Sequence, residues 1–595
     1  MTLVPQTLVC VSTLLLLSTA TGVCQQPVPQ QHETVVVTGT YDPIPLEEAD
    51  RNIAIQNISP ARALLSNTFI DFLRLDSSID LQQRAPNGIQ SDISIRGTNF
   101  GQTLILLNGM RISDVQTGHY SMDIPVPLSS IDRIEVLKGA GSTMYGSDAV
   151  GGAVNIVTRT PETADFAVRL GLGNFGTNQQ RADGTFVLGP WAQSVSFSRD
   201  FSSGFTYDRD YRDLQFGSGT HLKDALGASD ITLGYGDRPY GADQFYGNYN
   251  SFERTKVWFA GLHRTFGEQT EVDLGYRRHS DLFVLYRNNP ALFTNRHIDD
   301  TTQAAVRRWE KLGLNTRLHY GAEVIHDGID SNNLGQHTRT RGSAFVALDV
   351  RALKRFSFSA GAREEVFGSG QSQFSPSASA GYWLTTRLRL HGSVTHAFRL
   401  PSYTDLYYHD PGNVGNPNLR PEKAWDFEGG ADWDFSRHLR AAINIFELRE
   451  RDVIDYVRAS PTSVYQSTNF DKLNYTGAEV LLKYYGFGVS YTALHGAFNV
   501  SQVLQSKYTA YYPSHEAVAS WEGSVKGAII LRTRVGALQR YHADPYGLWD
   551  IYAARSKGHV RPFFQLANIT NTLYHEIAGV AMPRRSVLGG IELRK

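Results

Sequence analysis

From about residue 165 onward, apolar and polar side chains alternate. Phe166, Val168, Leu170 and Leu172 share one side of a two-residue period, with Ala167, Arg169 and Gly171 on the other. Val272, Leu274 and Tyr276 alternate with Asp273 and Arg277. Leu388, Leu390, Gly392 and Val394 alternate with Arg387, Arg389, His391 and Ser393. Period two with charge on the second face describes strands with one apolar and one wet face. It does not say which face points inward, so a soluble sandwich and a membrane barrel share the pattern. Three features favour the barrel. The alternation runs on to the C-terminus, far beyond the length of a soluble sandwich. Aromatic pairs such as Tyr382-Trp383 and Tyr484-Tyr485 fall near strand ends, as an interfacial girdle requires. Polar stretches rich in Tyr and Gly, such as 234–251, separate strands and read as extracellular loops.

The pattern before residue 160 is different. Residues 51–160 mix a helix-like stretch (61–75) with short strands at 93–96, Thr103–Leu107 and 131–137. Turn signals punctuate them at Asn108-Gly109, Gly139, Gly146 and Gly151-Gly152. This predicts a small α+β domain of 51–160, followed by a barrel of 165–595. Residues 25–50 are polar and rich in Gln and Pro, the texture of a mobile tail. One β-prone island interrupts it: Glu33, Thr34, Val35, Val36, Val37 and Thr38, followed by Gly39. Such a segment can add as a strand to a partner's sheet edge. Residues 1–24 read as a signal peptide, with an apolar run from Leu8 to Leu17 and small residues Ser18, Ala20 and Gly22 after it. No segment reaches the ~18 apolar residues of a membrane helix, which leaves a closed barrel as the spanning structure.

Composition narrows the functional classes. Lys+Arg (57) nearly equals Asp+Glu (58), so no bulk charge draws nucleic acid to the chain. The two cysteines, Cys10 and Cys24, lie in or beside the leader, so neither a disulfide framework nor a thiolate metal site is expected. The 18 histidines are scattered without a zinc-protease run. The Gly-rich stretch 139–152 lacks the lysine of a phosphate loop. No catalytic set stands out, and the chain does not read as an enzyme.

Four elements then occur in order: Ile93-Ser94-Ile95-Arg96-Gly97; Leu106-Leu107-Asn108-Gly109; Ile131-Asp132-Arg133-Ile134-Glu135-Val136-Leu137-Lys138-Gly139; and Tyr145-Gly146-Ser147-Asp148-Ala149-Val150-Gly151-Gly152-Ala153-Val154-Asn155-Ile156. The series resembles the plug domain of TonB-dependent outer-membrane receptors. Phe398-Arg399-Leu400-Pro401, Asp405-Leu406-Tyr407 and Gly415-Asn416-Pro417-Asn418-Leu419 with Pro421-Glu422 resemble that family's later barrel. Phe427-Glu428-Gly429, Gly477-Ala478-Glu479 and Leu566-Ala567-Asn568-Ile569-Thr570-Asn571 do so too. The stretch 165–370 matches in texture only. Length and domain order are similar to the cobalamin-receptor branch. Two positions depart from the family: Lys138 stands where Arg is frequent, and the chain ends Leu593-Arg594-Lys595 rather than on an aromatic residue.

The resemblance implies a mainly β fold: an antiparallel transmembrane barrel of ~22 strands, wide enough to hold the plug in its lumen. It implies an energy-coupling box at 33–40 read by an inner-membrane TonB-type protein. It also implies charge pairs between Arg96 and Lys138 on the plug and Glu428 and Glu479 on the wall. Plug turns at Asn99 and Phe100 and at His119 and Tyr120 would approach a large ligand, a corrinoid or an iron chelate. Tyr240, Phe245, Tyr246 and Tyr249, within the Tyr-rich stretch, are added as barrel contributors because aromatic rings suit such a ligand. In the cobalamin branch, acidic loops bind calcium. Here Asp200, Asp208, Asp210 and Asp213 are the candidates, but Arg209 and Arg212 interleave and point to salt bridging instead. The expected setting is a monomer in outer-membrane lipid. The alternatives are a passive porin-like or ligand-binding surface barrel, which needs neither box nor plug, and a secreted all-β enzyme.

Overall fold

Strand pairing decides which face of each alternating segment points inward. The computed structural model describes residues 35, 36, 38–40, 43–353, 355–368, 370–498, 505–525 and 527–595. From Asp165–Gly173 to Ser586–Arg594 the strands pair antiparallel with their neighbours and close into a barrel of 22 spanning strands. The first strand is bonded along its free edge to the last, and Phe166 and Lys595 exchange both backbone bonds at 2.9 and 3.2 Å. Closure leaves no edge, so the ladder satisfies backbone groups at membrane depth.

The apolar face is outside. Phe166, Leu170, Leu172, Leu274, Leu390 and Val394 are exposed on the outer wall, while Arg169, Asp273, Arg277, Arg389 and Ser393 are buried toward the lumen. A soluble sandwich would invert this. Tyr382, Tyr484 and Tyr485 are exposed beside the turns at one end of the barrel, where an interfacial girdle belongs. Connections at that end are short, as at Gly189-Pro190 and Tyr485-Gly486. Longer ones, 203–210, 285–293, 400–421 and 568–585, gather at the other end, which is therefore the outer mouth.

One predicted loop is strand. Two thirds of the stretch 234–251 lies in Gly227–Asp243 and Asn250–Phe266, joined by a turn of residues 244–249. Gly234, Gly236 and Gly241 serve packing, and only Gly247 serves the turn, at φ 112°. A Cβ at Gly234 would stand 2.7 Å from the Pro125 carbonyl oxygen of the N-terminal domain.

The N-terminal residues form a five-stranded mixed sheet in the order Ile53–Asn57, Ile131–Lys138, Gly152–Thr158, Thr103–Leu107, Met110–Arg111. A hairpin of Ile79–Gln83 and Ser91–Ile95 accompanies it. Ile93, Ile105, Leu107, Ile134, Val136 and Val154 join one buried core. The unit fills the lumen as a plug. Asn108 donates to Thr232 on one wall at 2.9 Å, and Asp80 pairs with Arg540 on another at 2.7 Å. The helix expected at 61–75 is broken into two single turns, Pro60–Ala63 and Ile70–Leu73. The Asp71 carboxylate accepts from the backbone amides of Asn67 and Thr68, which stabilises a local turn against a continuous helix.

Candidate functional site

The grip between plug and wall centres on Arg96, which follows the strand Ser91–Ile95 and adopts a left-handed backbone with φ 56°. Its guanidinium donates to Glu479 at 2.7 Å and to Glu428 at 3.0 Å and lies 4.2 Å from the centre of the Phe446 ring. All three charged side chains are buried. Lys138 divides its charge differently from the expected pairing. Its Nζ is 2.8 Å from Asp76 on the plug itself and 3.6 Å from Glu479, and it forms no ion pair with Glu428. Asn52 completes the Glu479 shell at 2.9 Å.

Further ion pairs of the plug were not singled out from the sequence: with the wall, Asp80 with Arg540, Asp114 with Arg277 at 2.7 Å and Asp123 with Arg238 at 2.8 Å, and with the outer connection 568–585, Arg74 with Glu576 at 2.5 Å. Arg277 stands on the wet side of a strand whose alternation was legible, and that was the available signal. Asp114, His279 and Asp299 also converge within reach of one another. Arg277 already bonds both carboxylates, so the group carries its own cation.

At the outer mouth, Asn99 caps the turn Phe100–Gln102 through a reciprocal capping box. The Phe100 ring stacks on His119 with centroids 4.1 Å apart, and Tyr508 of the barrel meets both edge-on at 5.1 and 5.6 Å. His119 Nδ1 is 2.8 Å from Asp92, which Arg84 also contacts at 3.1 Å. Burial lowers the His119 pKa, with Asp92 pulling it back up. The exposed Lys507 ammonium sits 5.3 Å from the Tyr508 ring centre and 5.6 Å from those of Tyr456 and Tyr465. Tyr508 and Lys507 were missed in the sequence, although Tyr508, Tyr511 and Tyr512 mark a ring-rich stretch between alternating strands.

Three predicted ligand residues lie below this surface. Tyr120 is 7% exposed and donates its hydroxyl to Glu253. Tyr240 and Phe245 are buried with Ala85, Ile89 and Tyr211 between plug and wall. They are packing residues because the stretch that carries them is strand and short turn rather than loop. Tyr246 donates to Glu253 at 2.7 Å, and Tyr249 is exposed against Tyr286.

Each acidic calcium candidate is held by an arginine. Asp200 pairs with Arg181, Asp213 with Arg238, and Asp208 and Asp210 share Arg287. The interleaved arginines expected to do this bond elsewhere. Arg212 goes to Asp237, and Arg209 to the Arg84 and Asp243 carbonyls. Cross-strand geometry selects the partner of Asp200 and Asp213, and the approach of the outer loops 203–210 and 285–293 selects that of Asp208 and Asp210.

Of the segment expected to be a coupling box, Glu33, Thr34 and Val37 lie outside the described residues. Val35–Val36 pairs antiparallel with Ile44–Pro45. The Thr38 amide donates to Glu135 at 2.8 Å, Asn155 donates to the Thr38 hydroxyl at 3.1 Å, and the Gly39 amide donates to Tyr145 at 3.0 Å.

A folded plug gripped by buried ion pairs inside a 22-stranded barrel, with aromatic rings at its outer mouth, defines a gated outer-membrane receptor. The chain belongs to the TonB-dependent receptors: residues 166–569 match the TonB dependent receptor-like β-barrel, and residues 53–153 the TonB-dependent receptor plug domain. It is 22% identical over 549 residues to the vitamin B12 transporter BtuB of Photobacterium profundum, covering 84% of this chain and 86% of that one. It is 25% identical over 472 residues to an iron-regulated outer membrane virulence protein of Vibrio cholerae, covering 73% and 70%. Among solved structures, the siderophore receptor PirA from Acinetobacter baumannii superposes with a TM-score of 0.75 at 13% identity, covering 91% and 98%. The protein is a multi-pass outer-membrane protein of a family of transporters and receptors, with a role in import.

Proposed function

We propose that this receptor binds a large chelate ligand at its outer mouth and imports it using energy from an inner-membrane TonB-type protein. A corrinoid is the first choice and a ferric siderophore the second. The observation that carries the reading is the Phe100–His119 stack closed by Tyr508, a partly apolar ring surface that suits a broad, planar ligand. Asn99, Phe100, His119 and Tyr508 are the assigned contacts, with Tyr249 at the rim. The similarity to a vitamin B12 transporter, which extends over most of both chains, supports the corrinoid. The Lys507 ammonium among three tyrosines favours an anionic iron chelate and keeps that second reading. The latch at Arg96 argues against passive flow, since a pore needs no gripped plug. Titrating purified protein with cyanocobalamin and, separately, with a ferric catecholate chelate tests the assignment. Binding of neither removes the chelate reading, and binding of only one names the class.

A further inference from the structure

Two arginines show how the outer wall answers charge. Arg278 pairs with Asp300 on the next strand at 2.8 Å, and Arg449 with Glu447 on its own strand at 2.9 Å. One row of cations is not answered. Lys423, Arg451 and Lys472 share a register across the strands Glu422–Ser436, Leu439–Arg458 and Tyr465–Tyr484, with Arg451 opposite Lys423 on one side and Lys472 on the other. All three are exposed, whereas their chain neighbours Glu422, Glu450 and Leu473 are buried toward the lumen. None of the three has a hydrogen bond or ion pair with a described residue. Paired strands stand about 4.8 Å apart, so the row sets three positive charges within roughly 10 Å of wall. Like charges directly opposite one another destabilise a ladder, and no described residue offsets that cost.

The height of the row identifies its surroundings. Trp425 and Phe435 are exposed on the outer face of the strand that carries Lys423. They are ten residues apart, about 33 Å along the strand. A tilt of ~40° turns this into about 25 Å of height, that of a barrel's apolar band. Trp425 therefore belongs to the outer aromatic girdle, and Lys423, two residues further up, is level with the outer headgroups. Below the row, Ile443, Ile445 and Val480 are exposed on the same face of the wall and meet acyl chains.

We propose that Lys423, Arg451 and Lys472 bind the phosphate of a phosphorylated glycolipid in the outer leaflet. The Arg451 guanidinium offers a fork to two phosphate oxygens, and the flanking ammonium groups add point charges. The acyl chains of the same molecule lie on Ile443, Ile445 and Val480, a surface that a soluble anion would not engage. The site is separate from the outer mouth and does not depend on which solute is imported.

The test uses the full chain purified in neutral detergent and stripped of lipid. Its unfolding midpoint is measured without lipid, with phosphorylated glycolipid extracted from outer membranes, with the same lipid after dephosphorylation, and with inorganic phosphate. Arg451→Gln is expected to raise the midpoint without lipid, because it relieves repulsion along the row. It should also lose severalfold in affinity for the phosphorylated glycolipid, read from a smaller rise as that lipid is added. Lys423→Gln makes the same test from the edge of the row should Arg451→Gln not fold. Lys472→Arg keeps the charge and should bind as the unaltered protein does, and so should Arg278→Gln, which removes an arginine that already has a partner. Equal lipid responses in the unaltered protein and in the Gln variants of the row overturn the proposal. Equal responses to the intact and the dephosphorylated lipid do so too, because they assign binding to the apolar surface alone. A rise with inorganic phosphate that matches the lipid's assigns the row to a soluble anion and overturns the lipid.

Discussion

Phe100 and Tyr508 meet edge-on across the plug–barrel boundary, so each ring presents part of its surface to the mouth. Phe100→Ala and Tyr508→Ala are each expected to weaken ligand binding about tenfold, ~1.4 kcal/mol, in titrations of the detergent-solubilised protein. Affinity unchanged in both would remove these rings from the site. Tyr120, one residue from His119, behaves differently because its hydroxyl is spent on buried Glu253. Tyr120→Phe should leave binding unaltered and lower the unfolding midpoint, because an under-satisfied buried acceptor costs about 1–3 kcal/mol. The depressed His119 pKa sets a sign. Below the ordinary value of ~6.5 the unfolded chain takes up a proton that the native state resists, so stability falls as pH drops through that value. His119→Gln should flatten this part of the unfolding midpoint's decline between about pH 7.5 and about pH 5.5. An unaltered slope would mean that His119 is not the group responsible. The sequence placed His119 and Tyr120 side by side. Only packing separated the mouth residue from the buried one.

At the scale of elements, the box is stored against the plug as a two-residue ladder followed by side-chain bonds from Glu135, Asn155 and Tyr145 to Thr38 and Gly39. Deleting 33–40 should abolish energised uptake and leave surface binding intact. Val36→Pro should act in the same direction, because proline cannot donate to an added strand. Uptake by intact cells measures both, and undiminished transport in the deletion would end the coupling role. The storage contacts make a separate prediction. Glu135→Gln with Tyr145→Phe should release the box, seen as faster protease cleavage near residue 40 with unchanged ligand affinity. Equal cleavage rates would show that the ladder and the contacts left in the variant, the Asn155 bond among them, hold it.

For the molecule as a whole, the plug is seated by ion pairs distributed around the lumen rather than by one latch. Arg96→Ala leaves Glu428 and Glu479 facing each other in a buried site, a loss of about 3–5 kcal/mol by the measure of broken buried pairs. Hydrogen exchange should then accelerate in the plug strands while the barrel ladder stays protected. Unaltered plug protection would mean that Asp80–Arg540, Asp114–Arg277 and Asp123–Arg238 suffice without Arg96.

Period-two alternation is local, and residues such as Leu274 and Arg277 disclosed the strands and their two faces without help from distant sequence. The ordered plug elements around Arg96-Gly97 and Lys138-Gly139 were legible for the same reason: each is a short contiguous run. The direction of the faces, the partner of each charge and the depth of each ring were not. Asp208 and Asp210 could have answered to their neighbours Arg209 and Arg212, yet both answer to Arg287, which stands in a different outer loop, 285–293. Tyr240 and Phe245 carry the composition of a loop but lie in the ladder and the turn that continues it, beneath the mouth. An alternating sequence determines which side chains share a face. Only closure of the sheet around the plug decides which face is the lumen, and which charges meet there with water excluded.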